Sequence, residues 1–359
     1  MLKRTLELSF SVMGEIVMDE KRNFDLLTLG QLLLRLSPPG NERLVRGDTF
    51  MKQVGGAELN VAVGVALLGL HVGIISKLPS HDMGRFMKSK IRSYGVSDDF
   101  FLYDNSPSAR VGIYYYEYGA YPRKPKVIYD RANSSFYSLN IDEIPTQAYT
   151  AARCFHTSGI TLALNQKLRD TTVEMIKRFK EAGTLVSFDV NFRGNLWTGE
   201  EARGCIEKIL PYVDIFFCSE DTARLTFKKS GTAREMMKSF TEDYPISIVA
   251  STQRVVHSPK RHTFGSVMYD AKKDQYYEEE PYRDIDVVDR IGSGDAYISG
   301  ALYGLLNNDF DCAKAIQYGN ATSAVKNTIP GDLPSSDLEE IETIIKAHNH
   351  VGPQSEMAR

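Results

Sequence analysis

Within this 359-residue sequence, the segment Asp289-Arg-Ile-Gly292-Ser293-Gly294-Asp295 has the residue types and spacing for group transfer. A Gly-x-Gly turn at a helix start points several unpaired backbone N–H groups at one spot. The positive end of the helix dipole lies behind them, which makes an anion hole for a phosphate or a developing phosphoryl charge. Asp295 at the same place has two readings. Asp is among the best N-capping residues, and from these residues alone the cap is the better reading. It is also a carboxylate beside an anion site, able to accept a proton from an attacking hydroxyl. The segment is neither a Walker A loop nor a dinucleotide fingerprint, since it lacks the Gly-Lys-Ser/Thr ending of the one and the third glycine of the other.

A second segment, Gly55-Gly56-Ala-Glu-Leu-Asn60, runs a double glycine into an apolar helix. Paired glycines alone could reflect close packing. Asn60 is harder to set aside, because a buried amide needs partners and a polyhydroxylated ligand would supply them.

The elements that must carry these segments alternate between strand and helix. The pattern predicts strands at 25–30, 71–77, 155–158, 185–189 and 215–218, and a short strand running into Gly292. It predicts helices at 59–70, 83–94, 168–182 and 202–212, and from Asp295 onward along the stripe Ile298, Ala301, Leu302 and Leu305. Such alternation implies a parallel sheet covered on both faces. Residues 110–130 break the rhythm with two β-branched and aromatic runs about a turn, an antiparallel hairpin. Together with residues 36–53 it would form a small separate sheet, suited to a lid that excludes water. Leu6, Leu8, Phe10 and Val12 alternate like a strand in an N-terminal extension over 1–23 with no evident role, and residues 346–359 read as a polar tail.

Composition narrows the function classes. Apolar residues are 42% and charged residues 25%, with a formal net charge of −3 and no basic stripe, which argues against nucleic acid. Cys154, Cys205, Cys218 and Cys312 show no C-x-x-C pair, and the seven histidines form no H-E-x-x-H pattern. The longest apolar stretch, 59–75, is too interrupted for a membrane span, and the N-terminus lacks a signal peptide's apolar core. A cytoplasmic protein is expected.

The two glycine segments, in this order in an alternating α/β chain, resemble those of the ribokinase-like (PfkB) carbohydrate kinases. That family shows Gly-Gly-x-x-x-Asn early and Asp-x-x-Gly-x-Gly-Asp late, with Ala commoner where Ser293 stands. The resemblance covers about residues 25–345. Within the family, the segments Leu29-Gly30-Gln31 to Pro38, Val127-Ile-Tyr129-Asp-Arg131, His156-Thr-Ser-Gly-Ile160, Ser187-Phe-Asp189-Val-Asn191-Phe-Arg193 and Ser251-Thr252-Gln-Arg254 are similar to those of the 2-keto-3-deoxygluconate kinases.

The resemblance implies an α/β/α sandwich with a mainly parallel sheet and a lid formed by about 36–53 and 108–131. It implies ATP- and Mg²⁺-dependent phosphorylation of a sugar acid's terminal hydroxyl, with Asp295 as base and Gly292, Ser293 and Gly294 as anion hole. Sugar contacts would come from Gly56, Asn60, Tyr114, Tyr129, Arg131, Arg193, Asp295 and Asp332. ATP contacts would come from Asn191, Ser219, Thr252, Arg254, Gly292, Gly294 and Asn320. No metal ligands are assigned, and a homodimer through the lid is expected. Arg binds a carboxylate bidentately and Tyr offers a ring face and a hydroxyl, although surface salt bridges and lid packing are the ordinary fates of such residues.

Three positions depart from the family pattern. Gln31 stands where many relatives have Glu. Cys218-Ser219-Glu220-Asp221 replaces an Asn-x-x-Glu associated with magnesium, leaving that role doubtful or taken over by Glu220 or Asp221. Thr252-Gln-Arg254 replaces a glycine-rich nucleotide loop. Rival readings are a kinase for a neutral ketose or nucleoside and a non-catalytic sugar- or nucleotide-binding regulator. A nicotinamide dehydrogenase is weaker still, for want of its glycine fingerprint.

Overall fold

The computed structural model describes residues 22–349, so most of the N-terminal extension, including its alternating apolar residues, lies outside the described residues. In chain order the strands are β1 Phe24–Leu29, β2 Leu33–Ser37, β3 Met51–Gly55, β4 Val72–Pro79, β5 Phe101–Asp104, β6 Gly112–Glu117 and β7 Lys126–Asp130. They continue with β8 Ala152–Ser158, β9 Leu185–Asp189, β10 Ile215–Phe217, β11 Ile248–Ser258, β12 Arg261–Asp270, β13 Gln275–Glu278 and β14 Tyr282–Asp286.

The main sheet has the order β13-β12-β11-β10-β9-β8-β1-β4-β5, with β14 also paired to β12. It is parallel from β5 through β11. β12, β13 and β14 close one edge in antiparallel fashion. Side chains alternate faces along each central strand. Leu27, Leu29, Phe155, Val186, Phe188 and Phe216 pack with helix Gln166–Glu181 in one core. Leu26, Cys154, Ile215 and Phe217 face helices Ala57–Leu67 and Ser293–Asn307 in the other. This is the expected three-layer α/β/α sandwich.

The small sheet, ordered β3-β2-β6-β7, stands apart from the main one. The β6–β7 hairpin is antiparallel as expected, but β2 begins at Leu33 and β3 ends at Gly55, so this half of the lid reaches beyond 36–53. Three residues separate β1 from β2, and Gly55 leads directly to the Ala57–Leu67 helix. The lid is thereby rooted at the carboxyl edge of the main sheet.

Several boundaries differ from expectation for physical reasons. The strand before Gly292 ends at Asp286; beyond it, Val288 and Asp289 bond the carbonyl of Asn327 rather than a strand neighbour. The helix expected over 202–212 is Gly199–Ile206 followed by a short 3₁₀ turn at Leu210–Tyr212, because Pro211 has no N–H to continue it. The tail is helical as far as His348, whose ring stacks on Tyr282 at 3.8 Å. All four cysteines are buried and free, and among the described residues no helix is long and apolar enough to cross a membrane.

Phe155 and Phe179 stack at 4.0 Å between sheet and helix with no exposure. Phe179→Ala should therefore lower stability by about 3–5 kcal/mol, as read by urea unfolding.

Candidate active site

A cleft of about 520 Å³ opens where the lid meets the carboxyl ends of the parallel strands, the usual ligand position in open α/β sheets. It is lined from below by residues that follow β1, β9 and β10, from above by Tyr114 and Tyr129 of the lid, and at one end by residues 290–295.

The late glycine segment forms this end. The helix begins at Ser293, so Asp295 is its third residue and Gly292 takes the capping position with φ 81°. A side chain at Gly292 would strike the Asp332 carbonyl at 2.0 Å, so only glycine fits. No side chain caps this helix. The Ser293 N–H bonds the Arg290 carbonyl at 3.2 Å, while those of Gly292, Gly294 and Asp295 have no partner among the described residues and are available to an anion in the cleft.

Asp295 is not the N-cap. Its carboxylate accepts a hydrogen bond from Asn60 Nδ2 at 2.7 Å, across 235 residues of sequence. The amide of Asn60 is buried, and its Oδ1 has no partner among the described residues. Gly56, with φ 141° and the Gln31 carbonyl 2.5 Å from where its Cβ would be, brings this helix start against the floor of the cleft. Burial pushes the Asp295 carboxyl up to about 6, although Asn60 and the nearby Arg193 favour its ionised form. Asp189, at the end of β9, also lines the cleft. Burial and the neighbouring Asp295 charge push its carboxyl up to about 7.

The cleft wall also carries cations, Arg131 and Arg193. Arg131 donates from Nε to Gln31 Oε1 at 2.8 Å, while Gln31 Nε2 donates to the Arg131 carbonyl at 3.1 Å and to Ser134 Oγ at 2.7 Å. Gln31 is thus the clamp that aims Arg131, a role missed when it was read only as a lost carboxylate. Neither Arg131 nor Arg193 makes an ion pair among the described residues, so the surface salt bridge does not apply to them. The Tyr129 ring lies 5.7 Å from that of Tyr114 and beneath the Arg131 guanidinium. Asp332 reaches the cleft too, but its carboxylate is already taken by the Tyr114 hydroxyl at 2.6 Å and by Arg35 at 2.7 Å.

Asn191, Ser219, Thr252 and Arg254 lie along the far side of the cleft, joined by Arg290, a residue the motif reading left unassigned. Arg254 and Arg290 have no carboxylate partner among the described residues; burial, helped by Arg290, lowers the Arg254 guanidinium, and burial, helped by Arg254 and Arg290, lowers the His262 imidazole. Asn320 does not reach the cleft. It is buried in the fold, accepting from Ser266 at 2.8 Å and donating to Glu279 at 2.9 Å. Glu220 is committed to Arg224 at 2.9 Å and, like Asp221, is absent from the cleft wall.

A sequence profile of the pfkB family carbohydrate kinases matches residues 23–337. The chain belongs to that family. It is 35% identical over 322 residues to the 2-dehydro-3-deoxygalactonokinase of Haloferax volcanii, covering 90% of this chain and 96% of that one. The 2-dehydro-3-deoxygluconokinase of Thermotoga maritima superposes with a TM-score of 0.85 at 32% identity, over 90% of this chain and 99% of that one. A putative 2-keto-3-deoxygluconate kinase from Enterococcus faecalis gives 0.83 at 26% identity, over 93% and 100%. This protein is therefore a carbohydrate kinase close to the 2-keto-3-deoxy sugar kinases, with the ribokinase-like fold.

A carboxyl whose folded pKa is raised carries a penalty that is absent below its unfolded value of 3.8 and complete above about 6. Asp295→Asn removes the penalty, so the kinase variant should melt above the wild type at pH 8 and not at pH 4. Asn60→Ala leaves the carboxylate without its donor and should melt below the wild type at pH 8.

Proposed function

We propose that this kinase transfers the γ-phosphoryl group of ATP to the terminal hydroxyl of a 2-keto-3-deoxy sugar acid, with 2-keto-3-deoxygluconate the leading substrate. The observation that carries the reading is the turn of Asp295 away from its own helix and onto Asn60, beside an uncapped helix start, in a cleft also lined by Arg131 and Arg193, which pair with no carboxylate among the described residues. As the hydroxyl oxygen bonds to phosphorus, its proton passes to Asp295, and the bond to the β-phosphate oxygen breaks to release ADP. The backbone N–H groups of Gly292 and Gly294 hold the charge on the transferring group, and that of Ser293 joins them by releasing the Arg290 carbonyl it bonds here.

Arg131 and Arg193 take the substrate carboxylate, and Gly56, Asn60, Tyr114 and Tyr129 take its hydroxyls and carbon skeleton. Asn191, Ser219, Thr252 and Arg254 serve the nucleotide, with Arg290 added to them. Among the described residues no three His, Cys, Asp or Glu side chains gather as metal ligands. Magnesium, expected of phosphoryl transfer in general, would neutralise nucleotide phosphate charge when bound. The open lid edges β3 and β7, with Met51 and Ile128 each 44% exposed, offer a surface for a second copy.

Asp295→Asn should abolish turnover while calorimetry finds ATP binding intact; near-normal turnover would refute the base. Only the ionised carboxylate accepts a proton, so kcat/KM should fall as pH drops below about 6. A coupled ADP-release assay tests the substrate against 2-keto-3-deoxygluconate, its C4 epimer and neutral ketoses. Arg193→Gln should cost the acids at least about tenfold in kcat/KM and the ketoses little. Preference for the neutral sugars would overturn the acid assignment.

A further inference from the structure

Arg35 is the largest fully buried side chain among the described residues, and neither the anion hole nor the sugar contacts account for it. It sits on β2 of the lid. Its Nε donates to Ser37 at 3.0 Å, one terminal nitrogen donates to Asp332 at 2.7 Å and the other to Asp289 at 2.6 Å. The guanidinium stacks 4.3 Å above the Tyr116 ring. A second buried cation, Lys326, donates to the carbonyls of Asp289 and Ile329, each at 3.2 Å. Two cations and two carboxylates are thus enclosed directly behind the glycine loop.

Stability does not explain such a cluster. Burying four charges carries a large desolvation cost, and apolar replacements of buried ion pairs are often as stable or more so. Geometry offers a better reason. The Asp289 carboxylate holds the Ile291 N–H at 3.0 Å and the Gly331 N–H at 3.1 Å, splinting the backbone on both sides of the loop. Asp332 holds the Tyr114 hydroxyl with its carboxylate and packs its carbonyl under Gly292. Charge offers another. Two bare carboxylates behind an anion hole would repel a phosphoryl group, and Arg35 with Lys326 cancels them.

We propose that Arg35 is a positioning residue: from the root of the lid it neutralises and fixes Asp289 and Asp332, and through them sets the Gly292-Ser293-Gly294 loop and Tyr114 for phosphoryl transfer. This rests on the phosphoryl-transfer reading of the cleft. Lysine keeps the charge but cannot bridge both carboxylates as a planar fork does. Arg35→Lys should lose about 10²-fold in kcat, a loss of the size that follows a small misplacement of a reacting centre. It should also bind inorganic tripolyphosphate, which Arg35 does not touch, more weakly by calorimetry.

Should Arg35→Lys fail to fold, the double variant Arg35→Met/Asp332→Asn removes one charge of each sign. It should fold, with a native circular dichroism spectrum, and show the same deficits. Either variant, folded, with kcat per active site and tripolyphosphate affinity within about twofold of the wild type would overturn the assignment. A wild-type protein that binds tripolyphosphate but phosphorylates no sugar acid would refute the substrate reading instead. Tripolyphosphate affinity would then decide the Arg35 role alone, with an unchanged value in Arg35→Lys overturning it.

Discussion

The hydrogen bond from Asn60 to Asp295 joins the two glycine segments into one site. Without it, a carboxylate in the first turn of an uncapped helix would fold back onto the nearby backbone N–H groups, as acidic residues at helix starts commonly do. With it, the carboxylate is held out over the cleft and the N–H groups of Gly292, Gly294 and Asp295 stay open to an anion. One interaction therefore separates the proposed proton acceptor from the proposed phosphate site while keeping them adjacent. The cost is a carboxyl kept partly out of water, which moves its proton affinity towards the range useful to a general base.

The remaining architecture serves that separation. The parallel strands β1, β9 and β10 end together and deliver Gln31, Asp189 and Cys218 to one edge. The lid contributes Tyr114, Tyr129 and the approach to Arg131, and it is tied to the Gly292–Gly294 loop through the buried charges around Arg35. Charge is distributed unevenly along the cleft. Asp189 and Asp295 line it together with Arg131, Arg193, Arg254 and Arg290, which are unpaired among the described residues, an arrangement that suits an anionic substrate beside an anionic donor.

Much of this was legible in the sequence where the signal is local. The strand at 185–189 and helices halted by Gly69, Gly95 and Gly183 follow from apolar period and from glycines with positive φ. The antiparallel edge from β11 to β14 was not legible. Its residues 253–258 are exposed, so no buried face imposes a period on them, and their pairing with β12 is a tertiary fact. The site divides in the same way. Gly292 and Gly294 announce an anion loop by themselves, but whether Asp295 caps its helix or faces the cleft depends on Asn60, far away in the chain. Gln31 and Arg131 meet across 100 residues. Family likeness put Asn320 beside ATP, whereas here Ser266 and Glu279 occupy both ends of its amide.

The most direct test is a crystal structure of the kinase with 2-keto-3-deoxygluconate and a non-hydrolysable ATP analogue. The account predicts the terminal hydroxyl of the sugar acid within about 2.6–3.2 Å of an Asp295 carboxylate oxygen, with Asn60 still bonded to the other side of that group. A sugar acid bound with that hydroxyl pointing away, and Asp295 turned onto the amides of its own helix, would contradict it.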